Sequence, residues 1–199
     1  MTGWGREGAA LVAALAAALA GCAPSTTPTA PAFSAVPVVS SAAAAPLTIG
    51  DGAIDTWNGW LPDGRTFSPF DATMSPVARL DPLLLKAIQD AARAAQAQGV
   101  DIALTSGWRS KGFQQRLFDD AVRQYRSVGV AQQFVASPDA SKHVIGEAVD
   151  ITGTGASEWL IRNGAQFGLC QIYANENWHF ELAVDQDGRC PPLRPNAAG

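Results

Sequence analysis

A long segment without any charged residue limits the part of this chain that can fold around a core. Residues 23–46 contain no Asp, Glu, Lys or Arg, and 20 of these 24 positions are Ala, Pro, Ser or Thr. Such a segment buries too little apolar surface to offset the entropy lost on ordering, and its prolines favour extended backbone. We therefore expect residues 22–50 to be a tether and residues 51–199 to be a folded domain.

The segment that precedes the tether has the pattern of an export signal. An unbroken apolar run, Ala9–Leu19, follows Arg6 and is too short to span a bilayer, which needs about 20 residues. The sequence Leu-Ala-Gly-Cys comes next, ends at Cys22 and resembles the lipobox of bacterial lipoproteins. We expect a signal peptide over residues 1–21, lipidation of Cys22, and an exported lipoprotein on the outer face of the cytoplasmic membrane, in the cell envelope.

Two further cysteines, Cys170 and Cys190, remain after Cys22 is assigned to lipidation. Two cysteines in an exported protein are expected to form a disulfide, and their spacing does not suggest a metal site. The alternative is a pair of buried free thiols.

The composition of the chain argues against two classes of protein. The 199 residues are 47% hydrophobic and 16% charged, which is typical of a globular protein rather than a disordered one. The 18 acidic and 14 basic residues give a net charge of −4, so we expect no nucleic-acid partner bound through a basic surface. We expect a monomer that meets the membrane only through its lipid anchor.

Capping and periodicity signals place helices and strands along the domain. Asp81-Pro82 opens a helix that should end at Gly99, and a second helix is expected over Lys111–Ser127, with Gly129 as its stop. A short helix is expected at Ser157–Arg162, and strands at Val100–Thr105, Ala148–Ile151, Gly168–Tyr173 and Trp178–Leu182. Because helices and strands do not alternate strictly, the predicted fold class is α+β, with a small antiparallel sheet and packed helices.

The two histidines of the chain lie in two short motifs, SKHVIGEAVD at 141–150 and ENWHFE at 176–181. A catalytic zinc site takes three protein ligands and keeps a fourth position open, and His143, Asp150 and His179 can supply such a set. Strand alternation turns Asp150 away from the apolar core and puts His179 and Glu181 on one face. Glu176 lies three residues before His179, so the backbone must bend near Asn177 if both are to face a metal.

The pattern SxHxxGxAxD, with ExWH after it and Ser-Gly-Trp-Arg-Ser before it at 106–110, resembles the VanY-like D-Ala-D-Ala carboxypeptidase family. The resemblance covers about residues 83–181 and implies a hedgehog/D-Ala-D-Ala peptidase-like fold that carries a zinc site. It implies Zn²⁺ as the cofactor, with His143, Asp150 and His179 as its ligands.

The same resemblance implies roles for residues around the metal. Glu176 matches the general base, and Arg109 matches an arginine that stabilises the developing oxyanion or the substrate carbonyl. Ser141 matches a contact to the terminal carboxylate of the substrate, and Gln114 and Trp178 are further substrate-contact candidates. Trp108 departs from the family, which usually has Tyr there, and we expect changed wall packing. Plainer roles stay open, since Arg109 can be an ordinary ion-pair partner and Ser141 can cap a turn.

These observations predict a zinc metallocarboxypeptidase that removes the terminal D-Ala from peptidoglycan stem peptides. Relatives with these motifs also act as L,D-carboxypeptidases or as peptidoglycan endopeptidases, and the sequence does not separate these activities. An alternative of another class is a non-catalytic, zinc-stabilised binding lipoprotein. A base and an arginine beside the metal argue against that alternative, because a purely structural site has no use for either.

Overall fold

A computed structural model describes residues 54–62 and 64–199. The predicted signal peptide, the lipidation site Cys22 and the predicted tether all lie outside these residues. Among the helices that the structure does describe, none is both long enough and apolar enough to cross a membrane.

Four antiparallel strands form the only named sheet within the described ranges, in the spatial order β1-β2-β4-β3. Their bounds are β1 Ala103–Ser106, β2 Ala148–Thr152, β3 Leu169–Gln171 and β4 His179–Leu182. The two inner strands, β2 and β4, pair so that Asp150 lies opposite His179 and Val149 lies opposite Phe180. A register shift between Leu104 and Ser106 lets β1 follow β2 to the level of Asp150.

The helices pack around this sheet and confirm the predicted α+β class. They are α1 Ser75–Ala78, α2 Pro82–Gln96, α3 Lys111–Tyr125, α4 Val128–Ala131 and α5 Ala156–Asn163, with single 3-10 turns at Thr56–Asn58 and Gly164–Phe167. Helix α2 begins as predicted, because the Asp81 carboxylate accepts hydrogen bonds from the N–H groups of Leu83 and Leu84. Its apolar stripe is buried in the main core.

The core lies between α2, α5 and the sheet. Leu84 and Ile88 of α2 belong to one buried cluster with Leu104, Val149 and Phe180 of the strands. Alternation along β2 and β4 therefore gives Val149 and Phe180 to the core, while Asp150 and His179 line a cleft. The core and the cleft are thus built from alternate residues of the same two strands.

The predicted end of the second long helix is wrong. Helix α3 ends at Tyr125, because Arg126 adopts a left-handed conformation with φ of 53°. Ser127 then caps α4 by accepting a hydrogen bond from the N–H of Val130. Gly129 therefore lies inside α4 and does not stop α3. The first strand also begins at Ala103, later than the predicted Val100, and the predicted strands at 168–173 and 178–182 are shorter in the structure.

The predicted disulfide is present and joins Cys170 of β3 to Cys190, with 5.5 Å between the two Cα atoms. After Cys190 the chain returns along the end of β3. The N–H of Arg194 donates to the carbonyl of Ile172 over 2.9 Å, and the N–H of Ala174 donates to the carbonyl of Arg194 over 2.8 Å. We call residues 190–197 the strap, because the disulfide and these two bonds fasten this segment to the sheet.

Gly146 allows the turn that joins His143 to β2. Its φ is +76°, a backbone conformation that residues other than glycine rarely adopt. A Cβ atom at this position would lie 2.5 Å from the carbonyl oxygen of Arg79. The Gly146 carbonyl also accepts a hydrogen bond from the N–H of Asp81 over 2.9 Å, so the turn is bonded to the start of α2.

We expect Gly146→Ala to lower the free energy of unfolding by about 1–3 kcal/mol, because alanine would strain the backbone and push against Arg79. Urea unfolding followed by circular dichroism measures this change. Gly129→Ala is the matched control, since Gly129 lies in a helix and a Cβ there meets no atom within 4 Å. The control should leave stability unchanged or slightly raised, and equal losses in the two variants would contradict this account of Gly146.

Candidate metal centre

The structure brings the three predicted ligands together in one buried group. His143 lies in the loop before β2, Asp150 lies within β2, and His179 is the first residue of β4. One ligand atom from each residue lies within 4.8 Å of the other two, and all three side chains are buried. The antiparallel pairing of Asp150 with His179 supplies two of the ligands, and the turn at Gly146 brings the third.

The hydrogen bonds of the histidines define which ring atoms converge. His143 donates its Nδ1–H to the carbonyl of Gly107 over 2.8 Å, because a carbonyl can only accept. Its Nε2 is then free as a ligand atom, 3.3 Å from Oδ1 of Asp150. His179 places Nδ1 at 3.2 Å from the same oxygen. Two imidazole nitrogens and one carboxylate oxygen thus meet in a buried site, which is the donor set that fits a catalytic zinc ion.

The electrostatics of the metal-free group favour a charged carboxylate. Burial opposes ionisation of Asp150, but hydrogen bonds with His143 and His179 and the charge of Arg109 hold its pKa well below the ordinary value. Burial, together with the charge of Arg109, lowers the pKa of His143. A neutral His143 and an ionised Asp150 are the protonation states that metal ligation requires.

Glu181 completes the surroundings of His179. Its Oε1 lies 2.9 Å from His179 Nε2, the ring nitrogen that faces away from Asp150. Burial lowers the pKa of His179, but the hydrogen bonds with Asp150 and Glu181 outweigh it and raise the pKa to about 9. Strand alternation predicts that Glu181 shares a face with His179, and the sequence assigns no role to Glu181. The structure shows that its carboxylate orients the ring so that Nδ1 faces Asp150, as carboxylates beside metal-bound histidines do.

Glu176 lies beside the three ligands because the chain bends as predicted. Residues 177 and 178 form a turn, and the N–H of His179 donates to the carbonyl of Glu176 over 3.3 Å. This bend places Oε2 of Glu176 at 3.9 Å from His179 Nδ1. Burial raises the pKa of Glu176 above its ordinary value, and its carboxyl lines the cleft. The carboxylate is thus a stronger base than a solvated one and is held next to the metal ligands.

Arg109 is anchored to the metal group. Its guanidinium donates to Oδ2 of Asp150 over 2.7 Å, to the hydroxyl of Ser106 over 2.7 Å and to the amide oxygen of Gln114 over 3.1 Å. Among the described residues these bonds engage three of the five N–H donors of a guanidinium, which leaves donors for a ligand in the cleft. Arg109 therefore fixes the second oxygen of Asp150 and also lines the cleft.

The predicted substrate-contact residues all line this cleft, whose volume is about 240 Å³. Ser141 is buried in its wall, and Trp178 lies at its rim with 44% of its surface exposed. Gln114 is held within the protein, because its amide accepts from Arg109 and donates to the carbonyl of Ala136 over 2.8 Å. The cleft also has lining residues to which sequence analysis gave no role in the site: Leu117, Phe134, Val135, Ala136, Lys142, Tyr173 and Ala197.

The departure at Trp108 has a structural account. The guanidinium carbon of Arg79 lies 4.4 Å from the centre of the Trp108 ring, within the range of a cation–π contact. The Trp108 N–H of the main chain donates to the carbonyl of Pro76 over 2.9 Å. Trp108 thus packs against the segment before α2, and it is not among the residues that line the cleft.

The chain matches a known protein family over its folded domain. The model of the family described as VanY, D-alanyl-D-alanine carboxypeptidase, matches residues 77–185, which is more than half of the chain. The matched range contains the five residues His143, Asp150, Glu176, His179 and Arg109. A curated relative, the D-alanyl-D-alanine carboxypeptidase of Enterococcus faecalis (strain ATCC 700802 / V583), is 32% identical over 127 residues. The match covers 51% of this chain, and the chain spans about half the length of that relative, 47%.

Solved structures give similar matches. A mutant of the vancomycin resistance D,D-pentapeptidase VanY from a VanB-type resistance cassette, in complex with Zn(II), is 31% identical with a TM-score of 0.47. That match covers 51% of this chain and 71% of the other. VanYB in complex with D-alanine-D-alanine is 30% identical with a TM-score of 0.48, and the match covers 51% of this chain and 70% of the other.

We expect Glu181→Ala to weaken zinc binding about 10–100-fold, because His179 loses the carboxylate that orients its ring. Competition with a chromophoric chelator measures the dissociation constant. Glu147→Ala is the matched control, since Glu147 pairs with Lys142 over 2.7 Å at the surface and forms no ion pair with either histidine. If both variants held zinc as tightly as the parent, Glu181 would have no part in the metal centre.

Proposed function

This chain belongs to the VanY family, and on that premise we propose that it is a zinc-dependent D-Ala-D-Ala carboxypeptidase acting on peptidoglycan stem peptides. The observation that carries the proposal is the position of Glu176, 3.9 Å from a ligand atom of a buried His-Asp-His group and inside a cleft. A structural metal site has no need of a carboxylate at that place. A hydrolase needs one to move the proton of the attacking water.

The donor set supports zinc as the metal. His143, Asp150 and His179 would hold the ion with three protein ligands, the number found in catalytic zinc sites that keep one position open. When bound, zinc supplies a Lewis acid that polarises the scissile carbonyl and makes water more acidic. The cleft of about 240 Å³ lies slightly below the size of sites for drug-sized ligands, which suits the end of a short peptide.

Glu176 performs the proton transfers in this proposal. Its carboxylate takes a proton from the water whose oxygen attacks the carbonyl carbon between the last two D-alanine residues. It then gives that proton to the amine of the leaving D-alanine as the carbon–nitrogen bond breaks. The pKa of Glu176, raised by burial, suits the first step, because the carboxylate accepts a proton more readily than a solvated glutamate does.

Arg109 and Ser141 act on the substrate in this proposal. The free N–H donors of Arg109 stabilise the negative charge that develops on the carbonyl oxygen, while its bond to Asp150 holds the guanidinium in place. Ser141 contacts the terminal carboxylate, and Trp178 contacts the peptide at the rim of the cleft. Gln114 then serves the site mainly by holding Arg109.

The proposed location of the enzyme follows from the N-terminal sequence. Residues 1–21 would direct export, and lipidated Cys22 would anchor the protein on the outer face of the cytoplasmic membrane. The charge-free tether up to residue 50 would let the domain reach the wall. Acting as a monomer there, the enzyme would meet stem peptides that end in D-Ala-D-Ala.

We expect the purified protein to remove one D-alanine from a muropeptide that carries a pentapeptide stem, and a chelator to abolish the reaction. Mass spectrometry of the muropeptide before and after incubation measures this. A larger metal-dependent cut would instead assign the L,D-carboxypeptidase or endopeptidase activity. An unchanged muropeptide in the presence of zinc-loaded protein would favour the non-catalytic binding lipoprotein.

We expect Glu176→Gln to keep its zinc and to lower kcat by a factor of about 10²–10⁴, because glutamine cannot take the proton of water. Metal content by elemental analysis and the rate of D-alanine release measure the two properties separately. Glu158→Gln, on the surface of α5, is the matched control and should retain the parental rate. Near-normal turnover of Glu176→Gln would remove Glu176 from the mechanism.

A further inference from the structure

The strap, residues 190–197, reaches the cleft that holds the metal centre and forms part of its wall at Ala197. Ala197 lies among the residues that line this cleft, although it is 18 positions beyond His179 in the sequence. Ala197 also packs against a small buried cluster formed by Cys170, Ile172 and Tyr173. Its neighbour Ala198 is exposed and is not part of the lining.

Three kinds of contact hold the strap against the sheet. The disulfide joins Cys190 to Cys170, and Arg194 exchanges two main-chain hydrogen bonds with residues on either side of Tyr173. The guanidinium carbon of Arg194 also lies 5.9 Å from the centre of the Tyr173 ring. The position of Ala197 is thus set by covalent and hydrogen-bonded contacts with β3 and the residues that follow it.

The strap also supports a residue that touches the metal group. The Tyr173 ring lines the cleft, and its centre lies 5.1 Å from the centre of the His179 ring. Main-chain hydrogen bonds from the strap lie on both sides of Tyr173, at Ile172 and Ala174. The segment that limits the cleft therefore also braces the aromatic ring beside one metal ligand.

The family match gives no role to this segment, because it ends at residue 185 and the strap begins at Cys190. We propose that the strap is the specificity-determining wall of the cleft, in which the small side chain of Ala197 sets how bulky a peptide can enter. The Cys170–Cys190 disulfide holds that wall in place. The inference rests on the proposed peptidase function and adds the element that selects among its peptide substrates.

The direct test places a larger side chain at position 197, where it would narrow the cleft. Ala197→Phe places a large ring where the cleft is lined by a methyl group, and Ala198→Phe adds the same ring at the exposed neighbour. The substrates are N-acetyl-D-alanyl-D-alanine and N-acetylmuramyl pentapeptide. We expect Ala197→Phe to lower kcat/KM for the long substrate about tenfold more than for the short one, since the long peptide fills more of the cleft. Ala198→Phe should leave the ratio of the two values unchanged.

The second test removes the disulfide that holds the strap against the sheet. In the double variant Cys170→Ser/Cys190→Ser the strap loses its covalent link and keeps its two backbone hydrogen bonds and the Arg194–Tyr173 contact. The wall is then held less tightly, so kcat/KM for the long substrate should rise relative to the short one. Zinc content is measured alongside, because a variant that merely unfolds loses metal and both activities together. The Ala197→Phe comparison does not depend on the stability of this double variant.

The outcomes separate the inference from the function on which it rests. If the parent protein cleaves both substrates and Ala197→Phe behaves like Ala198→Phe, the strap does not select substrates while the peptidase function stands. If the parent neither cleaves nor binds either substrate in calorimetric titration, the proposed function and the inference fail together. A shifted ratio in Ala197→Phe alone supports the strap as the selecting wall.

Discussion

The pairing of β2 with β4 is the constraint on which the rest of the structure depends. It sets Asp150 opposite His179 and, one residue away, Val149 opposite Phe180. A slip of one residue in this register would turn every side chain of a strand to the opposite face of the sheet. The core and the metal group therefore favour the same register, because a slip of one residue would disrupt both at once.

Asp150 links this pairing to the cleft walls. One carboxylate oxygen lies within 3.3 Å of both histidines, and the other accepts a hydrogen bond from Arg109. Arg109 in turn is bonded to Gln114, whose amide donates to a carbonyl of the loop that follows α4. A buried carboxylate is costly unless it is paired, and here its partners reach the strands, α3 and the cleft loops. The charge that would hold the metal thus also orders the protein around it.

The sequence is informative where function places several residues within a short stretch. His143 and Asp150 lie on either side of one glycine turn, and the bend at Asn177 follows from the demand that Glu176 and His179 face one point. The end of α3 was missed because Arg126 adopts a left-handed conformation that its residue type does not signal. Ala197 could not be found either, since a disulfide and long-range backbone bonds bring it to the cleft. Local patterns predict neighbours along a strand but not neighbours brought together by the fold.

The strap has a consequence for how the sheet meets other molecules. β3 is an outer strand of the sheet, and without the strap the backbone just beyond it would present a free C=O group at Ile172 and a free N–H group at Ala174. Exposed strand edges of this kind pair with edges of other chains and start aggregation. Because the strap forms hydrogen bonds with those groups, the segment that narrows the cleft also shields the edge of the sheet. Weakening the attachment of the strap to the sheet would therefore favour self-association of the protein as well as a wider cleft.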